Sequence, residues 1–191
     1  MPPPSDWVFA YGSLAAEPVR GAYPAVLAGH RRRWGVAMDN RCDLPGYKWY
    51  RARASGERPD VYVAFLDLVA DADGVGEAAV NGLCLPVDAT ALALLDARER
   101  NYERIDVSAL VTPEATWKRA RVWAYAGRSD ARERLARGVR EGRAVVSQEY
   151  VDDVEHGFRR LGGDQLARYR ATTDPLPPGC ERLSLERIDL R

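Results

Sequence analysis

The chain has 191 residues, the length of one ordinary domain, and 46% hydrophobic and 9% aromatic residues, enough for a packed core and too much for a disordered chain. Its 28 Lys+Arg balance 28 Asp+Glu. That balance removes the basic surplus by which a nucleic-acid or anionic-membrane binder is recognised.

Other classes fall away on residue supply. Cys42, Cys84 and Cys180 are odd in number, far apart and without a CxxC spacing, which argues against a disulfide framework or a thiolate zinc site. His30 and His156 are the whole histidine complement, too little for a His-rich metal site. No apolar run approaches the roughly 20 residues needed to span a bilayer. Residues 1–6, with Pro2, Pro3 and Pro4, lack the basic and apolar regions of a signal peptide and read as a short disordered leader. These features predict a cytoplasmic protein with no membrane and no nucleic-acid partner. Oligomeric state is not encoded in any feature of the pattern.

In chain order, the aromatic and β-branched run Trp7-Val8-Phe9-Ala10-Tyr11, stopped by Gly12-Ser13, predicts a buried strand and a turn. Extended stretches follow at 26–28 and 34–38, on either side of Arg31-Arg32-Arg33, which in a neutral chain reads as a solvated strand edge. Residues 39–60, with Pro45-Gly46 and Ser55-Gly56, read as a long loop or irregular hairpin whose Tyr47, Trp49 and Tyr50 either pack down together or form a lid. Strands are predicted at 61–69 and 80–87, separated by a turn at 71–74. Asp88 caps a helix over 89–100 that is rich in good helix formers. Two more strands, 102–111 and 117–125, precede three helices at 131–141, 147–161 and 164–171. Ser147 caps the second of these helices, and Tyr150, Val154, Phe158 and Leu161 form its buried stripe. The prolines at 175, 177 and 178 end the helices, and 180–191 is a tail able to add an edge strand. The domain is thus expected over 7–173, with 174–191 as a C-terminal tail.

Two features point to chemistry. At about 100° per residue, Leu92, Leu95 and Glu99 lie within roughly 60° of one another, so Glu99 continues the apolar stripe of its helix. A carboxylate there is desolvated, its pKa rises, and it becomes suited to proton transfer. The bland alternatives are a frayed last turn or an ion pair with an arginine such as Arg104. Asp96 falls in the same sector, and spacing alone does not separate the two acids. The second feature is the turn after the first strand, where Gly12 permits close backbone approach and successive N–H groups can form an anion-binding nest. Ser13 as a nucleophile, with His30 or His156 as base, is a weaker reading, because no G-x-S-x-G elbow surrounds it.

The segment Val8-Phe9-Ala10-Tyr11-Gly12-Ser13-Leu14 resembles the opening signature of the γ-glutamylcyclotransferase superfamily. Leu94-Leu95-Asp96-Ala97-Arg98-Glu99-Arg100-Asn101-Tyr102 resembles its second signature, a Leu-Asp-x-x-Glu helix end followed by an aromatic and a strand. Ser147-Gln148-Glu149-Tyr150 leading to Gly157 is similar to its Ser-x-x-Tyr helix, and Gly29-His30-Arg31 is similar to a motif of the glutathione-degrading branch. The matches run in order over residues 7–173.

The resemblance implies an α+β fold, a small mixed β-barrel with flanking helices, and an intramolecular aminolysis that uses no cofactor and no metal. In that reaction the free α-amine of a γ-glutamyl group attacks its own γ-carbonyl, giving 5-oxoproline and a released amine or peptide. The small-molecule γ-glutamyl substrate is the implied partner. Glu99 takes the place of the general acid/base. Phe9, Ala10, Tyr11, Gly12, Ser13 and Leu14 occupy the substrate-binding loop, and Tyr150 the place of the substrate-contacting tyrosine. Leu14 stands where many members acting on γ-glutamyl amino acids carry Asn, and loop 39–60 follows no branch pattern, so the acceptor half of the substrate stays open. A non-catalytic small-ligand-binding protein on the same fold is the alternative from a different class.

Overall fold

A computed structural model describes residues 6–17, 19–43, 47–71, 78–112 and 121–190. The expected leader lies outside these residues except for Asp6, as do positions 72–74 of the predicted turn, Pro45-Gly46, and the start of the strand expected from 117.

The first strand, β1 (Asp6–Ala10), lies in the middle of a six-stranded sheet because its residues 7–10 are buried on both faces. It pairs antiparallel with β6 (Ala79–Val87) and parallel with β9 (Arg121–Gly127). β2 (Tyr23–Ala28) and the two-residue β8 (Val111–Thr112) extend the sheet beyond β6, and β7 (Tyr102–Asp106) flanks β9. A second, four-stranded sheet is built on β5 (Tyr62–Ala70), whose residues 62–68 are all buried, as expected of a strand covered on both faces. β5 pairs with the long β3 (His30–Asp39) and with the short parallel strand β10 (Ala144–Ser147). The mixed sheets curl into a half-barrel flanked by four helices, the α+β architecture expected.

The helices are α1 (Ala89–Arg98), α2 (Ser129–Arg140), α3 (Gln148–Arg160) and α4 (Gln165–Ala171). Asp88 caps α1 by accepting from the Ala91 N–H at 2.7 Å, and Ser147 caps α3 through the Tyr150 N–H at 3.4 Å. Val154 and Phe158 of α3 pack with Phe9, Leu66 and Val122 in the largest core cluster.

Four stretches differ from the sequence reading. Residues 39–60 contain a strand, β4 (Lys48–Ala52). It is held by β12 (Leu185–Asp189) in the C-terminal segment, while β11 (Glu181–Leu183) becomes the edge of the second sheet beside β10. Between the helices expected at 131–141 and 147–161 lies an unexpected strand, β10, whose four residues are too few to show a period. The strand expected over 102–111 stops at Asp106, where the Asp106 carboxylate takes the Ser108 N–H and starts a 3-10 turn. The arginine run is solvated only in part: β3 is an edge strand, and Arg31 and Arg33 are 55% and 42% exposed, but Arg32 is 0% exposed, packed against the stacked rings of Phe158 and Tyr169 with its Cζ 5.1 and 4.6 Å from their centroids. Its guanidinium donates to the carbonyl oxygens of Asn81 and Tyr169 and to the Thr173 hydroxyl. Such a planar cation is held by rings and carbonyls together, although its buried Nε has no partner among the described residues, a combination that local sequence does not announce.

Candidate active site

β1 delivers the chain into a 3-10 turn, Ser13–Ala16, whose first N–H groups have no intrahelical partner. The Ala15 N–H returns to the Gly12 carbonyl at 2.9 Å, and the N–H groups of Gly12, Ser13 and Leu14 have no backbone acceptor among the described residues. Helix α3 presses on this turn. A Cβ on Gly157 would stand 2.6 Å from the Ala16 Cα, and one on Gly12 would stand 3.3 Å from the Tyr150 hydroxyl. Two glycines therefore set how closely Tyr150 approaches the turn. Tyr150 is further held by edge contacts with Phe65 and Trp34, at 5.3 and 6.0 Å between ring centroids.

Glu99 follows the last helical residue of α1, and its N–H closes the helix on the Leu95 carbonyl at 2.8 Å. Its side chain is only 15% exposed, and Arg98 Nε approaches Oε1 at 3.4 Å. Burial raises its pKa above the ordinary carboxylate range, against the opposing charges of Arg98, Lys48 and Arg187. The structure separates the two acids of this helix. Asp96 is a hydrogen-bonding group, accepting from the Tyr125 hydroxyl at 2.7 Å and from Arg104 at 2.9 Å. Arg104 is thus engaged with Asp96, and the Glu99 carboxylate has no hydroxyl or backbone donor among the described residues.

Residues 9–14, Glu99 and Tyr150 all line one narrow cleft, together with Leu66, Tyr102 and Tyr125. The phenols of this wall stay protonated, because burial drives the pKa values of Tyr11, Tyr102 and Tyr150 well up. Tyr11 is an internal strut that donates to the Tyr125 carbonyl at 2.6 Å, and Tyr102 donates to the Leu66 carbonyl at 2.7 Å. Ser13, Glu99, Tyr102 and Tyr150 also border a larger cavity of about 730 Å³. The volume is that of a small-molecule site. Ser13 has no hydrogen bond to either histidine: His156 sits on the cavity wall, and His30 Nδ1 lies 3.0 Å from the Ala28 carbonyl.

The family model described as gamma-glutamyl cyclotransferase, AIG2-like, matches residues 8–143. The chain belongs to this family. The match ends before α3, so Tyr150 and the C-terminal strands of this gamma-glutamyl cyclotransferase relative lie beyond it. Two solved structures from yeast, both gamma glutamyl cyclotransferases specific to glutathione, are similar at 16% identity. One has a TM-score of 0.49 and covers 87% of this chain and 96% of its own. The other, selenomethionine-labelled, has a TM-score of 0.45 and covers 64% and 68%. No curated protein matches the sequence.

The sequence reading did not single out Leu66, Tyr125 or Lys48. Leu66 and Tyr125 come from core strands, where an aromatic or aliphatic residue signals packing before anything else. Lys48 lies in the stretch read as a loop. Among the described residues no three His, Cys, Asp or Glu side chains converge as a metal site, and no helix is long and apolar enough to cross a membrane.

Proposed function

We propose that the protein is a γ-glutamylcyclotransferase that converts a γ-glutamyl amide or peptide to 5-oxoproline with release of the amine, with Glu99 as general acid/base. The observation that carries this reading is a buried carboxylate of raised pKa on the same cleft wall as a turn with free N–H groups.

The substrate brings both reacting groups, so the site's task is to fold the glutamyl chain into a reactive conformer. The N–H groups of Gly12, Ser13 and Leu14 hold the α-carboxylate or the oxyanion, and Tyr150, a phenol kept protonated by burial, contacts the glutamyl group. The α-amine nitrogen attacks the γ-carbonyl carbon, and a new C–N bond closes the five-membered ring as the carbonyl electrons move to oxygen. Glu99 takes the amine proton and returns it to the leaving nitrogen as the old C–N bond breaks. Atoms balance without water, oxidant or metal. Phe9 and Ala10 shape the floor of the cleft, and Tyr11 and Leu14 fix the turn. Three free cysteines fit a reducing, cytoplasmic setting.

Incubation with a panel of γ-glutamyl compounds, with 5-oxoproline read by mass spectrometry, tests the activity. Glu99→Gln is expected to lower turnover by about 10²–10⁴-fold while leaving the fold intact. An unchanged rate in that variant refutes the assignment. Stabilisation by γ-glutamyl ligands without any 5-oxoproline would make the cleft a binding site only.

A further inference from the structure

The larger cavity holds a cation for which the cyclisation has no use. Lys48 opens β4, and β12 lays the end of the chain against it, with Asp189 opposite Lys48 in the register. The Lys48 ammonium sits 4.5 Å from the Phe65 ring centroid, 5.6 Å from that of Tyr47 and 5.9 Å from that of Tyr50. Among the described residues it has no hydrogen bond and no carboxylate within 4 Å. Three other cations on the cavity wall are engaged, Arg187 with Asp189 at 2.6 Å, Arg53 with Glu149 at 3.0 Å and Arg98 with Glu99 at 3.4 Å, while the fourth, Arg160, is exposed to solvent on α3.

Ring faces compensate an ammonium for lost water only in part. Burial and the charge of Arg187 accordingly lower the Lys48 pKa to about 8, with Glu99 pulling the other way. The residue therefore carries charge at neutral pH with Glu99 and Asp189 acting on it only from beyond direct contact. Glu99, Tyr102 and Tyr150 face both the narrow cleft and this cavity. The space that Lys48 borders thus adjoins the place where a glutamyl group held at the turn beside Glu99 would release its leaving nitrogen.

Resting on the cyclisation reading, we propose that Lys48 is the subsite for a carboxylate on the leaving half of the substrate, so that the enzyme selects γ-glutamyl compounds whose released amine carries one. Substrates releasing a neutral amine lose this contact, and those releasing a diamine meet Lys48 and Arg187 as like charges. β4 and β12, brought together from distant parts of the chain, are then a specificity wall.

The test compares γ-glutamylglycine with γ-glutamylethylamide, which differ by a carboxylate in place of a methyl group. Wild type is expected to favour the glycine compound in kcat/KM by about 10- to 100-fold, the range for a hydrogen bond to a charged group. Lys48→Met should collapse that ratio to within about threefold of unity, and Lys48→Arg should keep most of it. Loss of the Lys48 charge also perturbs Glu99, but that effect is common to both substrates and cancels in the ratio. A wild-type ratio near unity, or a ratio that survives Lys48→Met, overturns the proposal, and the former needs no variant to fold. If wild type makes no 5-oxoproline from either compound, the cyclisation reading fails separately. Calorimetric binding of the same pair then decides the subsite: a carboxylate preference lost in Lys48→Met supports it, and no preference overturns it.

Discussion

Replacing Glu149 with Gln removes one charge from the joint that ties the C-terminal strands to α3. The Glu149 carboxylate accepts from the Ser184 hydroxyl at 2.5 Å, the Leu185 N–H at 2.8 Å, the Ser147 hydroxyl at 2.9 Å and Arg53 Nε at 3.0 Å. Burial alone would raise its pKa, but the hydrogen bonds outweigh it and bring the value from 4.5 to about 2. At about 1.4 kcal/mol per pH unit this is about 3 kcal/mol of preference for the ionised form in the folded state. The side chain is 33% exposed, and screening by water reduces the contribution to about 1–2 kcal/mol. A depressed carboxylate stabilises above its unfolded pKa, and the contribution is lost as pH falls through the folded value. Wild type should therefore lose this increment between about pH 4.5 and 2, whereas Glu149→Gln should lack it at pH 7 and show a flatter acid limb. Urea unfolding at pH 7 and pH 3 measures the difference, and hydrogen exchange at the Leu185 amide reports whether the joint itself has loosened. Equal stabilities at pH 7, or unchanged protection of that amide, would refute the account.

Gly157→Ala should destabilise by about 1–3 kcal/mol and depress turnover, because the added methyl group meets Ala16 backbone and pushes α3 off the turn; thermal unfolding and kcat together check it. The acid limb of kcat/KM should report an apparent pKa above the ordinary carboxylate range, as burial raises Glu99, and should vanish in whatever rate remains to Glu99→Gln. The preference for γ-glutamylglycine should fade as pH rises through about 8, where Lys48 loses its proton; Arg187 and Asp189 on β12, Glu99 and Arg98 at the end of α1, and Tyr47 and Tyr50 are the groups that face it. A ratio flat from about pH 7 to 9 would contradict this. Arg32→Lys should cost about 1.5–3 kcal/mol in urea unfolding, because a compact ammonium cannot pack against the two stacked rings and reach the same carbonyls.

Much of the cleft was legible because its parts are local. The strand that stops at Gly12 and the helix stripe that ends in Glu99 are short-range patterns, and each places its residue without knowledge of the other. α3 was legible for the same reason, through its Ser147 cap and its buried stripe. The separation of Asp96 from Glu99 was not legible. Both lie in one sector of α1, and only β7 and β9, which supply Arg104 and Tyr125, decide which acid is satisfied and which is left facing the cleft. Arg32 was misleading for a related reason, since a run of three arginines reads as surface until two stacked rings from α3 and α4 are found against the middle one.

The sequence by itself determined β1, β5, β6 and α1, the caps of α1 and α3, and the two signatures that meet at the cleft, because each depends on residues within a few positions of one another. The tertiary structure alone decided that β4 exists, that β12 covers it, and that Lys48 is half-buried with no carboxylate in direct contact. The physical reason is sequence separation: desolvation is set by whatever packs against a side chain, and what packs against Lys48 comes from strands β5 and β12, the latter at the far end of the chain.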